Sequence, residues 1–235
     1  MTEISTDESA DLIDDLLRCS NDPLRFVELA FPHIKAEHWQ RQLMTHIGDR
    51  LGDNKRQAKF TPIQVAVASG NTVGKTALLS WLILWGLMPF EDSIGVTTAG
   101  SEAQLRTRLW SELSKWFHQI PDELRTQFEL TATAIFNRQH ERTWRNDARP
   151  WSERSQESFS GVQNFGKRVI LIYDECSMIA EPIWRAADGM LTDAETQICW
   201  LVFGNPLGHL RRARHRGQGN HAGSGTVSET NCRWA

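Results

Sequence analysis

No stretch of this 235-residue sequence is apolar for long enough to cross a bilayer. The longest candidate, Ala77 to Phe90, is broken by Ser80 and Gly86, and a spanning helix needs roughly 20 residues. Cysteine is scarce: Cys19, Cys176, Cys199 and Cys232 are all there is, and no two have C-x-x-C spacing. A zinc or thioredoxin-like site therefore has no support, and a reducing compartment fits. No basic residue precedes Arg18, whereas Glu3, Asp7, Glu8, Asp11, Asp14 and Asp15 do. That is the reverse of a signal or transit peptide and predicts a cytoplasmic protein. Excess positive charge is missing as well. A formal net charge of −3 and a pI near 6.2 argue against coating nucleic acid through bulk charge, though a local basic groove is still allowed. Tyrosine occurs once against ten tryptophans, and the tryptophans read as core residues.

What the chain does have is 40% hydrophobic and 23% charged residues, an ordinary globular balance. Apolar periodicity predicts helices over 7–18, 22–31 and 37–51, followed by a polar loop at 53–61. Ile63 to Ala68 then reads as a buried strand and Lys75 to Leu87 as a long apolar helix. A second strand is predicted over 93–98, a helix over 101–119 capped by Ser101, a weaker single strand over 128–136, and a polar loop over 137–166. Arg168 to Tyr173 is the clearest strand, Glu181 to Leu191 a helix, and Gln197 to Phe203 another buried strand. Apolar strands alternating with helices predict an α/β fold with a mostly parallel sheet. After Pro206 there are five arginines, no lysine and one acid, Glu229. Large apolar residues are nearly gone, so 207–235 is predicted to be a disordered tail, and it reads like translation in a shifted frame. The expected organisation is a helical segment at 1–60, an α/β core at 61–206, and the tail at 207–235.

The chemistry is concentrated in three places. Ser69-Gly70-Asn71-Thr72-Val73-Gly74-Lys75-Thr76 lies between the first strand and the apolar helix. It approximates the phosphate-loop pattern G-x-x-x-x-G-K-[ST], with Ser69 at the first glycine position and Gly70 beside it. Glycines let backbone N–H groups approach a phosphate chain, Lys75 neutralises it, Thr76 offers a hydroxyl to Mg²⁺, and the helix N-terminus adds its positive end. Strand 168–173 ends in Asp174-Glu175. Such a strand-end acid holds Mg²⁺ in phosphoryl transfer, and the adjacent glutamate can polarise an attacking water. Strand 197–203 runs into Gly204-Asn205-Pro206, whose amide suits a γ-phosphate sensor but is also an ordinary turn.

In this register the sequence resembles the ATPase domain of bacteriophage terminase large subunits, over about residues 22 to 206. The likeness is carried by Asp22 to Pro32, by Trp39-Gln40, by Thr98-Ala99-Gly100-Ser101 with Gln104, by Phe159-Ser160-Gly161, by Asp174-Glu175-Cys176-Ser177 and by Gly204-Asn205-Pro206. The resemblance implies a P-loop NTPase fold of the additional-strand, catalytic-glutamate type. It implies an ATP hydrolase that drives double-stranded DNA into procapsids in the bacterial host cytoplasm, using ATP and Mg²⁺. Partners would be DNA, the terminase small subunit, the portal and further copies of the chain. Catalytic roles fall on Glu175 and Lys75, Mg²⁺ on Thr76 and Asp174, the nucleotide on residues 69–76, adenine on Gln40, and coupling on Gly204 and Asn205.

Three departures stand beside the likeness. The phosphate loop has Asn71 and no arginine, so a transition-state arginine would come from Arg106, Arg108 or a neighbouring subunit. Nothing after Pro206 supplies the acid cluster of a nuclease domain, so no DNA cleavage is expected. The tail resembles no part of the family. Two alternatives follow: a truncated prophage remnant that does not work, or another P-loop ATPase such as a helicase-like protein.

Overall fold

The computed structural model describes residues 6–58, 60–68, 74–150, 164–175, 195–204 and 226–229, with the backbone alone for 6–10, 12 and 226–229. The predicted helix at 181–191 lies outside these residues. Helix α1 (Thr6–Arg18), a 3₁₀ turn (Cys19–Asn21), α2 (Pro23–Ala30) and α3 (His38–Gln57) open the chain. Asp22 caps α2 by accepting the Arg25 N–H, and Pro23 occupies the first turn, where its missing N–H costs nothing. Helix α3 runs six residues past the predicted Leu51, into the supposed loop. Asn54 is the reason: it is buried, donates to the Thr61 carbonyl at 2.8 Å and accepts the Thr61 N–H at 3.2 Å. That reciprocal pair ties the last turns to the approach to the sheet.

Strand β1 (Ile63–Ala68) leads to α4 (Lys75–Leu87), and both match their predicted bounds. Helix α4 is apolar all round because it is buried all round: Leu78 through Leu87 are inaccessible. The sheet lies on one side, with α2 and α6 (Ser111–Phe117) packed against other faces. At Gly86 the helix comes so close to the sheet that a Cβ would sit 2.4 Å from Ile170 Cδ1. Strand β2 (Ile94–Thr98) follows. The helix predicted over 101–119 is α5 (Glu102–Gln104), a π-helical stretch (Leu105–Trp110) and α6 in succession. Ser101 Oγ accepts the Gln104 N–H, as a cap should. A wide turn of this kind is not readable from periodicity, since it inserts without changing the apolar face on either side.

The weak strand predicted over 128–136 is instead a hairpin, reached after the short α7 (Asp122–Arg125). It consists of β3 (Phe128–Leu130) and β4 (Ala134–Asn137), paired antiparallel. Thr131 breaks the run: its hydroxyl accepts the Ala134 N–H, so side chain and backbone close the turn together. The predicted loop after it contains β5 (Arg145–Ala148), antiparallel to β4 and parallel to β2. Its charged residues pair among themselves, Arg145 and Arg149 both holding Asp147, which is why a strand could look like a loop. Strands β6 (Arg168–Tyr173) and β7 (Gln197–Gly204) are buried along their whole lengths. Four residues of the expected coil, Thr226–Glu229, form β8, antiparallel to β1. The open side of β1 presents unpaired backbone groups that even a weak strand can satisfy. The rest of 207–235 lies outside the described residues.

The sheet order is β3-β4-β5-β2-β6-β7-β1-β8. The five strands from β5 to β1 are mutually parallel, so the expected mostly parallel α/β architecture holds. Strand β7 lies between β1 and β6, the additional-strand arrangement. One hydrophobic core runs from Leu16 in α1 through α2, α3 and α4 to Phe203 in β7. Trp81, Trp85, Trp110, Trp116 and Trp200 are buried in the protein, as core tryptophans should be. Cys19 and Cys199 are buried free thiols, both raised to about 11 by desolvation and so unreactive. No helix among the described residues is long and apolar enough to cross a membrane.

At the base of the sheet sits a charge that sequence reading passed over. Arg168, the first residue of β6, is fully buried. Its guanidinium lies between the faces of Trp85 at 4.7 Å and Phe90 at 4.4 Å. It donates to Gln197 Oε1 at 2.6 Å, to Asn21 Oδ1 at 3.1 Å and to the Ser20 carbonyl. Burial lowers it to about 10, which leaves it cationic at neutral pH. Trp85 Nε1 donates to the Cys19 carbonyl beside it, at 3.0 Å. Together these bonds fasten the N-terminal helices to the sheet.

Candidate active site

The parallel strands all end on one side, and their carboxyl ends build the site. Strand β1 delivers Gly74, Lys75 and Thr76 at the start of α4. Strand β6 delivers Asp174 and Glu175, and β7 delivers Gly204. Lys75 Nζ stands 3.0 Å from Asp174 Oδ1 and 2.8 Å from Glu175 Oε1. Two motifs a hundred residues apart in sequence thus meet at one ammonium. Of the other predicted nucleotide residues, 69–73 and the coupling residue Asn205 lie outside the described residues.

The electrostatics follow from two carboxylates sharing one cation in a largely closed site. Burial works against the charge on Lys75, but Asp174 and Glu175 outweigh it and hold the ammonium above its usual value. For Asp174 burial wins: its pKa is raised, with the neighbouring Glu175 charge adding and Lys75 opposing. The backbone is also unusual here. Glu175 has φ of 52°, a left-handed conformation uncommon for a side chain of this size. Its N–H donates to Asp174 Oδ1 at 3.0 Å, and the Asp174 N–H donates to the Thr98 carbonyl at 2.8 Å. Strain held in place by hydrogen bonds marks functional turns.

Gln40 also arrives at the site, from α3. It is 2% exposed. Its Nε2 donates to the Gly74 carbonyl at 2.8 Å and its Oε1 accepts the Glu37 N–H at 2.7 Å. Gly74 itself has φ of 93°. Two further residues of the Thr98–Gln104 stretch have buried polar atoms without a partner among the described residues, Thr98 Oγ1 and Gln104 Oε1. Arg106 and Arg108 lie on the π-helical stretch. Arg106 is held by Glu102 at 2.8 Å on the surface.

No family profile matches the chain, and no curated protein matches its sequence. Solved structures do match. The crystal structure of the HK97 bacteriophage large terminase aligns over 82% of this chain, with a TM-score of 0.55 at 15% identity. The fold is that of a phage terminase ATPase domain. The ATPase domain of the Thermus phage P74-26 large terminase aligns over 86% of the chain and 77% of its own length, with a TM-score of 0.51 at 16% identity. This chain spans 40% of the HK97 protein. In this chain β7 separates β1 from the acid-bearing β6. At 15–16% identity it is the architecture that the likeness rests on.

The residues fit a nucleotide and its metal on their chemistry. Asp174 and Thr76 supply hard oxygen donors of the kind Mg²⁺ prefers. Lys75 supplies a charge for phosphate oxygens, and the first N–H groups of α4 carry no helical partner. The Lys75 bridge to both acids shows that this corner of the site accepts a cation between carboxylates. Gln40 has a partner that no spacing rule could have indicated. Gly74 lies 34 residues further on, and the contact becomes visible only once α3 is seen across the loop.

Proposed function

We propose that this chain is the ATP-hydrolysing part of a DNA-packaging motor of the terminase type. The observation that carries the reading is Lys75 bridging Asp174 and Glu175 at the carboxyl ends of parallel strands. Lys75 exchanges its carboxylate partners for phosphate oxygens when nucleotide enters. Asp174 and Thr76 hold Mg²⁺, which when bound neutralises charge on the phosphate chain. Glu175, released from Lys75, accepts a proton from the attacking water. Gly204 ends β7, the strand between the two motifs, and with Asn205, the next residue in sequence, it carries the state of the phosphates into the sheet. Double-stranded DNA is the load; the small subunit, the portal and further copies of the chain are the partners that such a motor engages. A non-working prophage remnant is the competing reading.

The test is direct. The wild-type protein should bind Mg-ATP at millimolar concentration or below. Lys75→Ala should abolish that binding. Glu175→Gln should bind ATP but hydrolyse it about 10²–10⁴-fold more slowly, the contribution of a positioned base. Wild-type protein that binds no Mg-ATP in calorimetry at millimolar nucleotide refutes the motor reading and leaves the remnant.

A further inference from the structure

We propose that Gln40 is a positioning residue of the phosphate loop: it fixes the Gly74–Lys75 peptide and thereby aims the Lys75 backbone N–H at a bound phosphate, whatever base the nucleotide carries. The inference rests on the phosphate-loop reading above and deepens it. The family resemblance assigns Gln40 to adenine, but the geometry gives its amide other work.

The amide has only one orientation that satisfies both neighbours. The Glu37 N–H is a donor and demands the oxygen, at 2.7 Å. The Gly74 carbonyl is an acceptor and demands the nitrogen, at 2.8 Å. Turned over, the group would set N–H against N–H and oxygen against oxygen. Glu37 therefore acts as the anchor and Gly74 as the object held. The Gly74 carbonyl also accepts the Leu78 N–H at 3.0 Å, the first helical bond of α4. Both its lone pairs are then in use, one along the helix and one across to α3. Because the peptide unit is planar and trans, a fixed Gly74 carbonyl fixes the Lys75 N–H pointing the opposite way. That N–H is one of the unpaired donors at the helix start, which are the groups that receive anions. The clamp acts at the residue best able to turn. Gly74 adopts φ of 93°, where a glycine moves freely, and a Cβ there would sit 2.7 Å from Gln40 Nε2. Without Gln40 this peptide would have one fewer restraint at the junction that carries Lys75.

Gln40→Glu and Gln40→Met separate this role from others. Gln40→Glu keeps an oxygen for the Glu37 N–H and so keeps α3 intact, but loses the donor to Gly74. Gln40→Met loses the donor without adding charge. The probe is inorganic tripolyphosphate with Mg²⁺, which has no base to read, compared with ATP and GTP in calorimetry. Both variants should bind tripolyphosphate, ATP and GTP about three- to tenfold more weakly, by a common factor, as expected for one lost hydrogen bond. The thermal midpoint of Gln40→Glu should fall, because its second oxygen faces the Gly74 carbonyl at a buried position, so binding is compared at a temperature where all three proteins are folded. Unchanged tripolyphosphate binding with weaker ATP binding would make Gln40 a base reader alone and overturn the proposal. Loss in Gln40→Glu but not in Gln40→Met would reduce the effect to charge and overturn it equally. Wild-type protein that binds neither tripolyphosphate nor ATP would instead overturn the phosphate-loop reading itself.

Discussion

Truncating Arg168 to alanine should cost more stability than removing almost any other polar side chain of this protein. The guanidinium is fully buried and stacked between Trp85 and Phe90, with three acceptors around it. Asn21 Oδ1 keeps a second donor, Gln197 Nε2 at 3.2 Å, so it is not orphaned by the change. The Ser20 carbonyl and Gln197 Oε1 both lose a charged donor, at about 1–3 kcal/mol each. Two aromatic faces lose their cation, at about 1 kcal/mol each. Relief from burying a charge with no carboxylate beside it among the described residues acts in the opposite direction and removes part of that sum. A net loss of about 3–5 kcal/mol remains, in the range seen when a buried ionic network is broken. For a chain of this size that lowers the thermal midpoint by about 6–20 °C. Arg168→Met should lose less, because it refills the space between the rings and buries no charge. The assay is thermal and urea denaturation of the three proteins, followed by tryptophan fluorescence. Arg168 begins the strand that Asp174 follows, about 20 Å away at strand rise, so folded variants should bind Mg-ATP as the wild type does. A drop of under about 3 °C for Arg168→Ala would refute the argument and make the guanidinium a passenger in the core.

Asp174→Asn should remove Mg²⁺-dependent hydrolysis, and it exchanges a buried carboxylate 3.0 Å from Lys75 Nζ for a neutral amide. The raised pKa of Asp174 means that its ionised form costs folding energy at neutral pH. By the same sign, its contribution favours the fold at acid pH and turns against it as pH rises through the folded value. The wild-type midpoint should therefore gain on the Asp174→Asn midpoint as pH falls towards 4, and a difference that does not change with pH would refute this. Gly86→Ala should destabilise by about 1–3 kcal/mol through overpacking against Ile170, even though alanine is the better helix former by about 1 kcal/mol. Adding Ile170→Val, which deletes the Cδ1 that the new methyl meets, should recover stability, so urea midpoints that simply add would contradict the contact.

Much of this architecture is legible in the sequence, for a specific reason. Strands β6 and β7 read as apolar runs because they are buried along their whole lengths, β1 buries Ile63, Val65 and Val67 in alternation, and α4 is apolar all round because it is buried. Their order and the motifs at their ends then locate Lys75, Asp174 and Glu175 without any structure. The hairpin β3–β4 was not legible, since Thr131-Ala132-Thr133 is compatible with a strand and its turn is made by a hydroxyl, with no glycine or proline to mark it. Strand β5 was hidden by Arg145, Asp147 and Arg149, charges that satisfy one another at the side of the sheet. Arg168 was invisible as a buried group because a cation at the start of an apolar strand ordinarily faces water. Its neutral acceptors come from residues 20, 21 and 197, brought together only by folding. The Gln40 contact with Gly74 depends on tertiary placement in the same way.

The position of β7 has a mechanical consequence. Lys75 follows β1 and the two acids follow β6, so the gap that the ammonium bridges equals two inter-strand spacings, about 9–10 Å at the level of the backbone. Backbone hydrogen bonds set each spacing, and the side chains of β7 above and below set how far its neighbours may splay or twist. Trp200, Leu201 and Phe203 are buried in β7 and fill the space that sets these spacings. A change of shape there alters the reach required of a lysine several residues away. Core substitutions in β7 that leave stability intact should therefore shift the separation of Lys75 from Asp174 and Glu175 without altering a single residue at the mouth of the site.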